Sequence, residues 1–561
     1  MTMRKNRTAP ILILAVIAAL AVCLAAGPVL SATEKAKTPA ATTKAKPQPA
    51  PTKAKQPWAV WNYAKEKPVR GGYFRTAGTL DVGLLNPNHW PVNDWLVINF
   101  FFEKLLVTDG NYRPVAWMIE SWTYPDPLTC ITKLHKGITF TDGSPLDAAA
   151  VKYVIDYIND KKNGCWSRAW IADLDSVEAV DELTLKWKTK KPWAAFLGII
   201  NNVPGYMISP NILKQDTRGN FISDTTPVGT GQWILEERNP GNFIKVKRNP
   251  NWWYGKSIGY PDMPYFDGRI QYIIPDPSVQ LANLRSGKIH SMSVAKASYS
   301  QVKDDHNLQL VIGPLNWLTA QRFNLAKGPC QDIRVRKAIS MAIDRKALIT
   351  GTQFGLGRIA SCMYPDDHWA HNPNLKPVKY DPEMAKKLLS EAGFPNGLTV
   401  KGYMVNVPTV VTVAEAMKAM LAKVGVTWEV ETLDPVAISD KMKNLEYDFA
   451  GGGWSWIYDP DLMATGLYHP DGGFNYGRTN NPEAIKLIEA GRVEVDLVKR
   501  QKIYWNLEKV LYDNYEDAWL WWEMSISAYS KNVRGLDSEM SIRHKEIFSW
   551  SHPLWFKDGK E

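Results

Sequence analysis

The stretch YDPEMAKKLLSEAGFPNG, residues 380–397, carries its own start and stop signals, and together with its neighbours it narrows the fold class sharply. Asp381 is a helix cap, Pro382 takes the first helical position, where its missing N–H costs nothing, and Glu383 complements the helix dipole. Gly393 ends that helix and Pro395 stops its return. VAEAMKAMLAKVGVTWEVETLD then reads as a second helix closed by Gly425 and running into a strand. Upstream, DIRVRKAISMAIDRKALI reads as a helix with Asp332 as cap and a buried stripe of Val335, Ala338, Ile339, Ala342 and Ile343. DGSPLDAAAVKYVIDYINDKK has Asp147 as cap and Val151, Val154, Ile155 and Ile158 on one face. Two hairpins intervene: SVEAVDELTLKWKTKKPW turning at Asp181-Glu182, and WILEERNPGNFIKVKRNP turning at Asn239–Asn242. Helices alternating with strands predict an α/β fold whose sheets are covered by helices.

With 561 residues the chain exceeds what one hydrophobic core organises, so at least two lobes are expected. Its formal charge of +10 looks like a signal for polyanions, but residues 1–56 hold nine Lys/Arg against one Glu. The remainder carries only about +2, which argues against nucleic acid as a partner. Arg4, Lys5 and Arg7 precede the charge-free run ILILAVIAALAVCLAA and the small-residue VLSAT, the layout of a secretory signal peptide over residues 1–31. The same run is just long enough to serve as a retained membrane anchor, and Leu20–Cys23 loosely resembles a lipoprotein box. Residues 32–57, rich in Ala, Lys, Thr and Pro, have nothing to bury and are expected to be an extended, disordered tether. Past Cys23, four cysteines remain; an exported chain permits two disulfides among them, with Cys130–Cys165 and Cys330–Cys362 favoured as sequence-local pairs.

Motifs for chemistry are absent. Pro250 stands where a P-loop ending at Lys256-Ser257 needs glycine, and Gly229-Thr-Gly231 lacks a third glycine at dinucleotide spacing. No G-x-S-x-G or H-E-x-x-H occurs, and the nine histidines lack ligand spacing, so no metal site and no cofactor are expected. A carboxylate pair assembled only in space, as in a carbohydrate-active hydrolase, stays open at this level. The unusual segment is GGGWSWIYDPD, residues 451–461, which sets two tryptophans and a tyrosine beside three glycines and a turn. Glycine runs weaken strands or mark bends, so those aromatics either belong to a core or line a surface that a ligand touches.

RGGYFRTAGTLDVGLLNPN, FFFEKLLVTDGNYRPVAWMIESW, LHKGITFTDGSPLDAAAVKY, VGTGQWILEERNPGNFIKVKRNPNWW, IPDPSVQLANLRSGKIHSM, DIRVRKAISMAIDRKALI and YDPEMAKKLLSEAGFPNG occur in that order. Together they resemble the family 5 extracellular solute-binding proteins of ABC importers, whose members bind oligopeptides, dipeptides or nickel. The resemblance implies a two-lobed periplasmic-binding fold with an inserted subdomain and a hinged interlobe cleft. Lobe I would be residues 68–315 with a return at 523–561, and lobe II residues 316–522. It also implies a monomer without catalysis that captures a small solute outside the cytoplasmic membrane and delivers it to an ABC permease and its ATPase. In peptide-binding members an Asp shortly after the Gly-Trp pair holds the ligand's α-amino group. Here Gly453-Trp454 and Asp459-Pro460 match, while Ser455–Tyr458 between them holds no acid, which leaves Asp459 as the displaced candidate. The implied ligand contacts are Trp454, Trp456, Trp166 and Trp170 by stacking, Asp459 by hydrogen bonding or cation pairing, Asn202 beside the pocket, and Trp90 and Trp317 at the rim. The family default is an oligopeptide; the aromatic lining favours an oligosaccharide.

Overall fold

The computed structural model describes residues 66–89, 92–455, 457–536 and 553–561, with only the backbone for 314–316. The expected signal segment and tether, Trp90 and Trp456 lie outside the described residues. The local signals fold as their chemistry dictates. Asp147 caps Ala148–Asn159 by accepting from the Ala150 N–H, and Asp381 caps Pro382–Glu391 by accepting from the Met384 N–H. The two hairpins pair as Leu174–Ala179 with Thr184–Thr189 and Trp233–Asn239 with Phe243–Arg248. One expectation changes: the helix begun at Asp332 ends at Ala342, and a second helix, Arg345–Thr352, starts under its own cap, Asp344. The break lets the buried Arg345 guanidinium reach the carbonyls of Trp519, Ser340 and Ile343.

A nine-stranded mixed sheet is the frame. Its order runs Phe449–Trp454, Leu308–Phe323, Asp517–Ser530, Ser291–Val294, Tyr73–Gly78, Gly268–Ile273, Phe243–Arg248 and Trp233–Asn239, with Gly357–Ile359 joined to Asp517–Ser530 off this path. Tyr73–Gly78 pairs in parallel with both of its neighbours, and the other pairs are antiparallel. The two longest strands, Leu308–Phe323 and Asp517–Ser530, run from one half of the molecule into the other. Their ladder breaks between Pro314 and Leu318 and shifts again at Thr319/Ala320, so the pair bends midway. A separate four-stranded antiparallel sheet, Ile119–Asp126, Thr129–Leu134, Thr184–Thr189 and Leu174–Ala179, forms an inserted layer.

Apolar side chains gather into distinct cores on either side of that bend. The first, which we call lobe I, is built from Phe74 to Phe266 and is closed by Val533 and Leu554–Phe556. Three more make up lobe II, one around Val335, Ile339, Met417 and Trp428, one around Met463, Leu467, Tyr504 and Trp519, and a small one around Tyr403, Ile438 and Tyr447. The four cysteines are free, buried thiols distributed among these cores, Cys130 and Cys165 in the first, Cys330 and Cys362 in two of the others. The expected pairs Cys130–Cys165 and Cys330–Cys362 are therefore not formed; each thiol serves as a small apolar residue, with burial pushing Cys130 and Cys165 up to about 12.

The triple glycine also behaves differently from its expectation. Gly451–Gly453 make no bend but the middle of the regular edge strand Phe449–Trp454. Space is the reason. A Cβ on Gly453 would stand 2.6 Å from Cε2 and 2.7 Å from Nε1 of the Trp317 indole, and one on Gly451 would collide with the Met404 sulfur. On Gly452 the nearest atom, Arg322 Cγ, would lie at 3.4 Å. Gly453→Ala is expected to lower unfolding stability by about 1–3 kcal/mol in urea titration, whereas Gly452→Ala should stay within about 0.5 kcal/mol of the parent.

Candidate ligand site between the lobes

Three sets of contacts bring the lobes together away from the long strands. The hairpin Leu106–Ala116 of lobe I carries Tyr112 at its tip in a left-handed conformation, φ +64°. That strain is compensated by insertion: Tyr112 packs into a lobe II core with its ring stacked on His368, centroids 5.2 Å apart. Asn111 donates from Nδ2 to the Asp367 carbonyl at 2.8 Å and accepts from the Trp369 N–H at 3.0 Å. His368 in turn contacts the Ile457 carbonyl through Nε2 at 2.9 Å, tying this clasp to the loop that follows Trp454. Burial pushes the His368 imidazole down to about 3.

The second set surrounds Asp459. Its carboxylate accepts two hydrogen bonds of 2.7 Å from the Arg500 guanidinium and also caps the helix Pro460–Tyr468 through the Asp461 N–H. Asp459 and Arg500 are both buried. Burial opposes the arginine's charge, but the carboxylate more than offsets it and holds the guanidinium above its ordinary range. Asp459, expected as the displaced amine anchor, thus stands in an internal ion pair with Arg500. The pair lines a small enclosed cavity of about 60 Å³ between the lobes, with Tyr124 and Leu197 on one side and Trp369 on the other. Next door, burial raises Asp461 to about 6.

The third set is aromatic. Lys104, buried in lobe I, lies 5.7 Å from the Tyr206 ring centroid and 5.4 Å from that of Tyr458 in lobe II. Tyr206 stacks on Trp95 at 6.3 Å and donates its hydroxyl to Asn99 Oδ1. Trp95 meets Trp166 edge-on at 6.4 Å, and Trp166 stands perpendicular to Trp170 at 6.0 Å. Trp166 and Trp170 belong to one short helical turn, Trp166–Ile171, anchored by the Trp166 indole N–H on the Pro87 carbonyl at 3.1 Å. Asn202 starts the adjacent turn Val203–Gly205 and caps it with its own Oδ1.

The expected residues are therefore only partly assembled. Trp166, Trp170 and Asn202 share the lobe I wall through those adjoining turns, while Trp317 lies across the Gly453 backbone. Trp454 is half-buried at a lobe II core, its ring 4.9 Å from Phe474. Lys104, Tyr206, Trp95 and Tyr458 also meet at the seam, outside the set of contacts expected from the sequence. Tyr458 sits inside the aromatic stretch already singled out, but nothing local marks Lys104 as the cation between two tyrosines. Among the described residues, no group of three His, Cys, Asp or Glu side chains could hold a metal ion.

A hinged pair of lobes meeting across a seam of aromatics defines a binding protein that encloses its ligand. The sequence model of the bacterial extracellular solute-binding proteins, family 5 (Middle), matches residues 113–475, and the chain belongs to this family. Its members bind substrates for ABC transport rather than transform them. The chain is similar to the glutathione-binding protein GsiB of Escherichia coli O1:K1, 28% identical over 466 residues that cover 80% of this chain and 88% of that one. Among solved structures it resembles the ABC transporter substrate-binding protein CtaP of Listeria monocytogenes, at TM-score 0.76 and 24% identity, covering 87% and 100%. It also resembles the murein tripeptide-binding protein MppA in its unliganded open form, at TM-score 0.75 and 21% identity, covering 87% and 98%. Among the described residues no helix is long and apolar enough to cross a membrane.

Two predictions follow from the charges. Arg500→Met, which strands the Asp459 carboxylate, should cost about 3–5 kcal/mol in denaturant unfolding, and adding Asp459→Asn should recover part of that loss. The second concerns Glu103, fully buried in lobe I and accepting from the indole N–H groups of Trp252 and Trp253 at 3.1 and 3.0 Å. Burial raises it from 4.5 to about 7. The folded chain then keeps a proton that the unfolded chain releases, so this contribution to stability fades as pH rises through that interval. Unfolding stability measured from pH 5 to 8 should fall more steeply in the parent than in Glu103→Gln, by at most on the order of 3 kcal/mol.

Proposed function

We propose that this protein captures a peptide outside the cytoplasmic membrane and hands it to an ABC permease, acting as a monomer and without catalysis. The observation that carries the reading is the seam in which Lys104 and Tyr206 of lobe I face Tyr458 of lobe II, because a ligand seated there touches both lobes and stabilises their closure. The relatives favour peptides: GsiB is named for glutathione and MppA for a murein tripeptide. The bend of the long strands at Pro314–Leu318, opposite Trp522–Met524, is the hinge, with lobe I at 68–315 and 523–561 and lobe II at 316–522. Trp454, Trp456, Trp166, Trp170, Trp90 and Trp317 supply flat contacts to the ligand. Residues 1–31 direct export, and 32–57 space the folded part from the membrane or from the processed end.

A second reading, an oligosaccharide ligand, is favoured by the perpendicular tryptophans and by the engagement of Asp459 with Arg500. Native mass spectrometry of gently purified protein, with analysis of whatever denaturation releases, decides between them. Peptides of mixed sequence are expected; a hexose ladder would replace the peptide reading with the sugar one. Trp454→Ala should weaken binding of the released ligand by about 1–3 kcal/mol, whereas unchanged affinity with a lower Tm would make Trp454 a core residue.

A further inference from the structure

Resting on the peptide reading, the geometry points to Asn201 and Asn202 as a neutral amide subsite that grips the ligand's backbone, so that recognition requires no free α-ammonium group. The argument starts from where these residues lie. The helix Phe196–Ile200 presses on lobe II: Gly198 has no room for a side chain, since a Cβ there would stand 2.6 Å from Asp459 Cβ. Just before it, the Ala194 N–H donates to the Arg492 carbonyl at 2.7 Å. Just after it, Tyr206 shares Lys104 with Tyr458. Residues 201–205 therefore run between two points at which the 458–459 loop meets lobe I, along the floor of the seam.

Asn201 is wholly buried, yet neither its Oδ1 nor its Nδ2 has a hydrogen-bond partner. Its backbone N–H is satisfied by the Leu197 carbonyl, so the unmet capacity belongs to the side chain alone. Asn202 spends its Oδ1 on the Val203 N–H at 2.9 Å and leaves a buried Nδ2 unpaired. Buried polar groups are paired in all but a few places, because water's hydrogen bonds have been given up, and an unpaired set at an interface marks where something else supplies them. Two carboxamides offer one acceptor and neighbouring donors. An extended peptide residue, whose own N–H and C=O point to the same side of the backbone, matches that array without bringing charge into the seam. An ammonium would need an acid, and Asp459 is already closed on Arg500.

The test is calorimetric titration of ligand-free full-length protein with randomised tetrapeptide pools, one with free termini and one N-acetylated and C-amidated, and with maltotetraose. The parent is expected to bind the blocked pool within about threefold of the free pool. Asn201→Leu should lose about ten- to a hundredfold in peptide affinity while the Tm of its ligand-free form rises, because an apolar side chain removes the unmet hydrogen bonds. Asn201→Leu that keeps or raises the Tm of the ligand-free form and binds as the parent does overturns the proposal. Where leucine is not accommodated, Asn202→Ala serves as the second variant: a loss of about tenfold or more supports the subsite, and parental affinity for the blocked pool overturns it. A parent that binds maltotetraose and neither peptide pool refutes the peptide reading itself, a result distinct from failure of the subsite.

Discussion

Everything in this molecule hangs on two long strands, Leu308–Phe323 and Asp517–Ser530, that belong to both lobes at once. Their hydrogen-bonded ladder is interrupted at Pro314–Leu318 and shifts register once more at Thr319/Ala320, so the pair bends where it passes from one lobe to the other. The interruption is not bare. Glu523, at the crossing, accepts from the Trp521 indole at 2.7 Å and from Thr319 Oγ1 at 3.0 Å, and it pairs with Lys296, which also donates to Gln353 Oε1.

Other contacts join the lobes away from this bend. The Tyr112 clasp, the Asp459–Arg500 pair and the Lys104 aromatic sandwich sit on different parts of the seam, and the first two lead to the loop that connects Trp454 with the helix Pro460–Tyr468.

Much of the secondary structure was legible in the chain because its signals are local. An aspartate before a helix, a proline at its first turn and a glycine after its last act within a few residues, and Asp147, Asp332 and Asp381 cap where expected. The two-lobed class was legible too, from ordered stretches resembling one family. The site was legible only in part. Trp166, Trp170 and Asn202 fall on one wall, yet Asp459 is taken by Arg500, a residue 41 positions away. Nor could spacing reveal that Cys130 and Cys165, though close in sequence, would be separate buried thiols.

By itself, then, the sequence determined the caps of several helices and the turns of two hairpins, that the chain exceeds one core, and that the aromatic run 451–461 is exceptional. Local hydrogen bonds and hydrophobic periodicity suffice for that, since each depends on residues within a turn or two. Only the tertiary structure decided that three glycines form a strand under an indole rather than a bend, that Asp459 is paired with Arg500, and that Asn201 is buried with its carboxamide unmet. Each of these is set by contacts between residues brought together from distant parts of the chain, and which atoms share a space is known only once the lobes are packed.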